Sequence, residues 1–187
     1  MRASVHREPA GLVDTARHYL RDLIYGANDG IITTFAVVAG VTGGALSSRA
    51  VLVVGLANLF ADGLSMGVGN YLSIRSDESA RAAQSLPEQE ASPVRHGIAT
   101  MAAFAVAGTV PLLPYFWGSS DLSTFRLAMV LTMVALFTVG ALRSTVTADR
   151  WWTGGLEMLS LGAVVAAVAY GVGAAVAGMA GTQGDPA

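Results

Sequence analysis

The sequence predicts an all-α integral membrane protein with five transmembrane helices. Of its 187 residues, 53% are hydrophobic and only 13% are charged, and the mean hydropathy is +0.54. Soluble domains carry about 25% charged residues, so this composition indicates a protein of the membrane class. Five long apolar runs, and an uneven distribution of arginine around them, favour the same fold class.

Each apolar run is close to the ~20 residues that a helix needs to cross a bilayer. The predicted spans cover residues 24–45, 51–72, 96–117, 125–142 and 154–179. Together they form one transmembrane domain, residues 23–179, with a short cytoplasmic loop at about 73–95. Residues 1–22 precede it as a cytoplasmic segment, whose amphipathic helix at about 10–22 could lie at the membrane interface. Residues 180–187 form a C-terminal tail.

The distribution of arginine predicts a cytoplasmic N-terminus. In that orientation nine arginines fall on inside segments, and only Arg49 and Arg126 fall outside, as the positive-inside rule requires. An odd number of spans then puts the C-terminus outside. All 11 basic residues are arginine, which we interpret as GC-rich coding and hence as a protein of the bacterial cytoplasmic membrane. Aromatic residues at the span ends fit interfacial anchors, namely Tyr115, Trp117, Trp151 and Trp152.

Two carboxylates fall inside predicted spans, Asp29 in the first and Asp62 in the second. An acid at the centre of a spanning helix costs roughly 2.5–3.5 kcal/mol on insertion scales, so such residues usually mark an ion path or a proton relay. Asp29 could instead be a helix N-cap before the apolar run. A helix beginning at Gly30 would be only about 24 Å long, short of the ~30 Å hydrocarbon core, which favours an earlier start. Asp62 could instead make a structural hydrogen bond to a neighbouring helix.

A polar stripe recurs every four residues along the second span, at Asn58, Asp62, Met66 and Asn70. Such a stripe should face a cavity or a partner rather than lipid. Carboxylate and amide oxygens suit a hard ion such as Mn²⁺, and a thioether shifts the preference toward Fe²⁺. Metal ligands must be deprotonated, so a carboxylate here could exchange metal for proton. The alternatives are that Met66 fills the core and that Asn58 and Asn70 form interhelical hydrogen bonds.

Other candidate residues carry a weaker signal. Glu157, near the start of the fifth span, is either a first-turn acid favoured by the helix dipole or a metal ligand at the mouth of a pathway. His6, His18 and His96 have no partner at ligand spacing, so we assign them to the interface or to solvent. The sequence contains no P-loop, His-Glu-x-x-His motif, nucleophile elbow or basic nucleic-acid patch. We therefore expect no enzyme, no resident cofactor and no nucleic-acid partner.

Small residues lie one helical turn apart at several points, including Gly26/Gly30, Gly40/Gly44 and Gly63/Gly67. This spacing lets helix backbones approach closely. One interpretation is tight packing within a single bundle, and the other is the seam of a homodimer. Because five short helices enclose little volume for a pathway of their own, we retain the homodimer seam as an interpretation.

Taken together, the motifs resemble the vacuolar iron transporter family, which includes the yeast calcium-sensitivity-complementing vacuolar transporter and plant nodulin-like proteins. The resemblance runs in order over about residues 20–175, in segments 29–30, 39–43, 61–67, 70–73, 108–115, 135–141 and 166–173. It implies a homodimer of five-helix subunits that moves Fe²⁺ or Mn²⁺ out of the cytosol in exchange for protons, along a pathway at the dimer interface. The family's pathway aspartate falls on Asp29, and its pathway methionine falls on Met66.

Three departures from the family pattern stand out. Vacuolar members carry a long, glutamate-rich, metal-binding insert after the second helix, whereas this chain has only some twenty residues there, as short bacterial or nodulin-like members do. A carboxylate often found two turns before the methionine is Asn58 here, and Asp62 lies one turn before it. Many short members have glutamate at the position of Asn70. The acids of the short loop are Asp77, Glu78, Glu88 and Glu90.

These observations predict a homodimeric transporter that exports Mn²⁺ or Fe²⁺ from the cytoplasm against protons. Asp29 and Asp62 would bind metal and proton, and Met66 would tune selectivity, with weaker contributions from Asn58 and Glu157. The expected partners are metal ions, protons, the lipid bilayer and a second copy of the chain. The alternative is a non-transporting membrane assembly or metal-sensing module. An intramembrane enzyme is disfavoured because the two acids have no supporting nucleophile or histidine ligand set.

Overall fold

The computed structural model describes residues 11–90, 92–117, 122–144 and 150–182. Their helices are α1 (Leu12–His18), α2 (Leu20–Gly43), α3 (Ser48–Ala83), α4 (Pro93–Gly108), a 3₁₀ turn (Val110–Leu112), α5 (Leu113–Trp117), α6 (Leu122–Arg143) and α7 (Trp151–Thr182). Counting α4 to α5 as one unit, the described residues contain five helices long and apolar enough to cross a membrane. The predicted fold class and its five spans are confirmed. The orientation of the termini and the homodimer stay predictions, and His6 lies outside the described residues.

Helix α2 lies at the centre of the bundle and contacts α3, α4, α6 and α7. One cluster of buried residues joins Phe35 and Val38 of α2 to Val51 of α3 and Leu112. A second cluster joins Ile31 of α2 to α6 and α7. Because lipid tails are as apolar as these side chains, such contacts stabilise the bundle chiefly through close packing. Helix α2 therefore contacts each of the other four spans.

Glycine lets α2, α3 and α4 touch backbone to backbone. A Cβ atom added to Gly26 or Gly30 of α2 would collide with the α4 carbonyl oxygens of Thr100 or Phe104. One added to Gly67 of α3 would lie 2.8 Å from the carbonyl oxygen of Gly97. The interpretation of these glycines as packing within one bundle is confirmed for α2–α4 and α3–α4.

Helix α3 extends well beyond the predicted end of the second span at residue 72. It continues to Ala83, so residues 73–83 of the predicted loop are helical. The hydropathy of the chain falls there, but most of these residues are good helix formers that need no lipid. The guanidinium of Arg81 donates hydrogen bonds to the carbonyl oxygen of Pro87, which fastens the following turn to the helix. The loop after α3 is therefore short and held against the helix end.

Two further boundaries differ from expectation. The predicted helix at 10–22 is divided at Tyr19, where α1 ends and α2 follows at Leu20. Asp29 is therefore the tenth residue of α2, and its interpretation as an N-cap is wrong. The third span breaks before Pro111, which lacks an N–H for the helical hydrogen bond. This turn buries Tyr115, whose hydroxyl lies 3.4 Å from Oγ1 of Thr42, so Tyr115 is not an exposed anchor.

Candidate functional site

The aspartate pair, Asp29 and Asp62, lies between α2 and α3. The two helices run antiparallel because only four residues connect them. Both side chains are half-buried. Asp29 lies 14 residues before the end of α2 and Asp62 lies 14 residues after the start of α3, so the two acids are at the same depth and within electrostatic range of each other. The structure therefore brings together the two intramembrane acids that the sequence predicted separately.

Neighbours on α3 complete the polar surface around Asp62. Its Oδ2 atom accepts a hydrogen bond of 2.7 Å from Nδ2 of Asn58, one turn earlier on the same helix. The prediction that Asn58 bonds across to another helix is therefore wrong, and so is the interhelical alternative for Asp62. Met66 lies one turn farther along and is half-buried. These positions offer carboxylate, amide and thioether groups along one side of α3.

No cationic side chain among the described residues forms an ion pair with Asp29 or Asp62. Burying an acid without a counter-charge is unfavourable, and two such acids side by side repel each other. A proton or a metal cation relieves both costs. The oxygens of the pair suit hard divalent ions, and the Met66 thioether favours a softer one.

A second polar level, the loop-end cluster, lies where α2 begins and α3 leaves the bundle. It consists of His18, Asp22, Asn70, Glu90, His96 and Thr100. Asp22 precedes Asp29 by seven residues on α2, and Asn70 follows Asp62 by eight on α3. Because the two helices are antiparallel, Asp22 lies at the depth of Asn70, just as Asp29 lies at the depth of Asp62. The two levels are about 10–12 Å apart along the helix axes.

Hydrogen bonds tie the loop-end cluster together across three helices. Nδ2 of Asn70 donates to Oδ1 of Asp22 at 2.8 Å and to Oγ1 of Thr100 at 2.7 Å. Oδ2 of Asp22 lies 2.6 Å from Nδ1 of His96. The prediction that Asn70 forms interhelical hydrogen bonds is confirmed. His96 is only 3% exposed, so its assignment to the interface or solvent is wrong.

The prediction that Glu157 is a first-turn acid is wrong, and its assignment as a metal ligand stays a prediction. Helix α7 begins at Trp151, so Glu157 lies in its second turn, and the first turn contains no acid. Its Oε2 atom accepts a hydrogen bond of 2.9 Å from Nη2 of Arg143 on α6. Glu157 is exposed and contacts neither aspartate of the pair among the described residues. It joins the two helices at their adjacent ends.

Asp22, His18 and His96 were missed as site residues, although the sequence held one usable signal. Asp22 precedes Asp29 by two turns and therefore projects from the same face of α2. The pairing of His96 with Asp22 spans 74 positions in the chain, and no local spacing reveals such a contact.

Comparison with known proteins identifies the family of this chain. The model of the VIT family matches residues 20–91 and 80–174. Vacuolar iron transporter 2 of Oryza sativa subsp. japonica is 27% identical, over 87% of this chain and 89% of the rice protein. Vacuolar iron transporter 1 of Arabidopsis thaliana is also 27% identical, over 90% of this chain and 93% of that protein. A vacuolar iron transporter of Toxoplasma gondii is 26% identical, over 86% and 75%.

The alignments also show that the relatives contain segments that this chain does not have. The rice alignment extends over 219 positions, although the whole chain has only 187 residues, so that relative carries segments absent here. The two matched ranges of the family model overlap at residues 80–91, across the end of α3 and the residues that follow it. This agrees with the short loop noted in the sequence. The two matches span all five membrane helices, and the chain therefore belongs to the VIT family.

Proposed function

We propose that this protein transports Fe²⁺ or Mn²⁺ across a membrane, out of the cytoplasm and in exchange for protons. The observation that carries the proposal is the aspartate pair, two half-buried acids at the same depth of α2 and α3 that form no ion pair with a cationic side chain among the described residues. Relatives named vacuolar iron transporters support a metal ion as the substrate. A transporter of this kind is not an enzyme and needs no resident cofactor.

Exchange follows from the chemistry of the pair. A divalent ion binds when both carboxylates are deprotonated, and protons that arrive from the opposite side compete for the same oxygens. Asn58 orients one of these oxygens by its hydrogen bond. Met66 adds a soft thioether one turn away, which favours Fe²⁺ over Mn²⁺ within the group of accepted ions.

A homodimer would complete the pathway. On the side of α3 next to Asp62, the helix exposes apolar residues, namely Val54, Ala61 and Leu72, of which Val54 is 46% and Leu72 50% exposed. A second copy packed on this face would bring the aspartate pairs of both subunits around one axis. Four carboxylates could then replace the hydration shell of a divalent ion. We infer that the N-terminus lies inside from the distribution of arginine, and that the membrane is a bacterial cytoplasmic membrane from the exclusive use of arginine as the basic residue.

Flux measurements in proteoliposomes under an imposed pH gradient test the proposal. Wild-type protein should move Mn²⁺ or Fe²⁺ in a proton-coupled manner. Asp29→Asn and Asp62→Asn should each lower the initial rate at least about tenfold, which corresponds to roughly 1.4 kcal/mol in barrier height. Asp77→Asn is the matched control, because Asp77 is exposed on the extension of α3, and its rate should equal that of wild type.

Two outcomes would overturn the proposal. Absence of flux in the wild type under either gradient direction would favour the non-transporting assembly or sensing module. Unchanged flux in both aspartate variants would show that the pathway lies elsewhere in the protein. The ion with the higher rate would identify the preferred substrate.

A further inference from the structure

Three ligand atoms converge at the loop end, outside the aspartate pair. They are the ring nitrogens of His18 and His96 and a carboxylate oxygen of Glu90, all within 4.8 Å of one another. Oε2 of Glu90 lies 3.1 Å from Nε2 of His96 and 3.6 Å from Nε2 of His18. Atoms that share one tetrahedral ion, with bonds of about 2.1 Å, lie about 3.4 Å apart. The spacing already approaches that of a metal site.

The orientation of the His96 ring strengthens this assignment. Its Nδ1 atom faces Oδ2 of Asp22 at 2.6 Å, so this nitrogen carries the ring proton as the donor. The lone pair of Nε2 then points toward the Glu90 carboxylate, which is also an acceptor. Two acceptors 3.1 Å apart require either another proton or a cation between them. His18 directs a further nitrogen at the same oxygen.

The surroundings of His96 match those of a metal-binding histidine. Such a ligand usually donates its second ring N–H to a carboxylate, which fixes the ring and raises its basicity. Asp22 is that carboxylate here, and Asn70 holds its other oxygen at 2.8 Å. Asp22 and His96 are each 3% exposed. His18 and Glu90 are less buried, with side chains 21% and 28% exposed, although Nε2 of His18 is itself buried.

We propose that His18, Glu90 and His96 form a second divalent-metal site, with Asp22 orienting His96. Two imidazoles and one carboxylate suit borderline ions such as Fe²⁺, Co²⁺ and Zn²⁺ better than Mg²⁺ or Ca²⁺. The three ligands come from α1, the loop after α3 and α4, so a bound ion would join three separate segments. Binding itself does not depend on transport. Its role as a capture site, beyond Asp22 on the side away from the aspartate pair, rests on the proposed function.

The test uses Co²⁺ alone, because its visible absorption changes when nitrogen ligands bind. Titrations of the purified full-length protein in detergent should show a histidine-bound Co²⁺ spectrum with one site per chain. The same spectrum should persist in Asp62→Asn, in which the aspartate pair is disrupted. His18→Ala and Glu90→Gln should each weaken binding at least about tenfold, and Asp22→Asn should weaken it by about 10–100-fold.

Glu88→Gln is the matched control for Glu90→Gln, since it changes an acid of the same loop outside the ligand set, and its affinity should equal that of wild type. His18 is partly exposed, so its substitution tests the site without removing a buried side chain. Co²⁺ spectra and affinities identical in His18→Ala, Glu90→Gln and wild type would overturn the proposal.

This result is separable from the transport assay. A His18-dependent Co²⁺ spectrum in a protein without flux would uphold the metal site and reject only its role in capture. Normal flux with no such spectrum would uphold transport and reject the second site.

Discussion

Asp22 and Asp62 lie at two depths of the same helix pair and have opposite surroundings. Asp22 is almost fully buried, and each of its oxygens has a partner, His96 on one side and Asn70 on the other. Asp62 is half-buried, accepts one hydrogen bond from Asn58 and acts on Asp29. Side chains of the protein itself therefore bind both oxygens of Asp22. The second acid, Asp62, has no such set of partners among the described residues, and under the proposed function its charge is the one that a transported cation neutralises.

Breaking the packing that both levels share should have the largest effect. Gly30→Val would place a branched side chain against the α4 backbone at Phe104, where even a Cβ atom collides. We expect destabilisation of at least about 3 kcal/mol, the upper end for overpacking, and loss of both metal spectrum and flux. Thermal unfolding in detergent is the measurement. Gly69→Ala is the control, because nothing lies within 4 Å of its added Cβ atom; equal stability of the two variants would refute the close α2–α4 contact.

Replacing Asp22, whose two oxygens both have partners, should destabilise the protein. In Asp22→Asn the new amide replaces a charged acceptor, so the hydrogen bonds from His96 and Asn70 are weakened or lost. Hydrogen bonds to charged groups contribute about 1.5–3 kcal/mol, and we expect a loss in that range in chemical denaturation. Asp77→Asn on the exposed part of α3 should leave stability unchanged. A variant as stable as wild type would mean that the loop-end cluster contributes no net stability.

Replacing Asp62 should have the opposite effect and raise the free energy of unfolding. Asp62→Asn ends the repulsion with Asp29 and lowers the cost of an acid in the membrane. We expect stabilisation of about 1 kcal/mol, together with the loss of flux described above, as often occurs when a strained functional group is replaced. The same denaturation assay measures it. Destabilisation of this variant would show that Asp62 is held by partners as Asp22 is, and the contrast between the two levels would fail.

The smallest effect is expected at Met66. Met66→Leu conserves volume and should change stability by less than about 1.5 kcal/mol. Because the soft thioether is removed, the ratio of Fe²⁺ to Mn²⁺ flux should fall a fewfold. Competition between the two ions in proteoliposomes measures the ratio, with Met129→Leu on the exposed surface of α6 as the control. An unchanged ratio would assign Met66 to packing alone.

The sequence predicted the five spans because hydrophobic length is a local property that single residues report directly. It identified Asp29 and Asp62 for the same reason, since an acid within an apolar run is visible without any partner. It failed at residues 73–83, where the helix continues through polar residues after the hydropathy has ended. It also failed at His96, because burial beside Asp22 depends on how α2 and α4 pack. A charged residue within an apolar run can be recognised from the sequence alone, whereas a charge paired with a residue distant in the chain cannot.

The length of α3 has a mechanical consequence. Its 36 residues form one continuous rod of about 54 Å, with Asp62 near the middle and Ala83 at the far end. A tilt of about 5° about Asp62 would displace Ala83 by nearly 3 Å, because about 31 Å of helix separates them. The turn after α3 is fastened to this rod by Arg81 and leads directly to Glu90. Whatever displaces the loop therefore rotates α3 at the membrane-embedded acid, and a small rotation of the helix at Asp62 becomes a displacement of several ångströms at the loop.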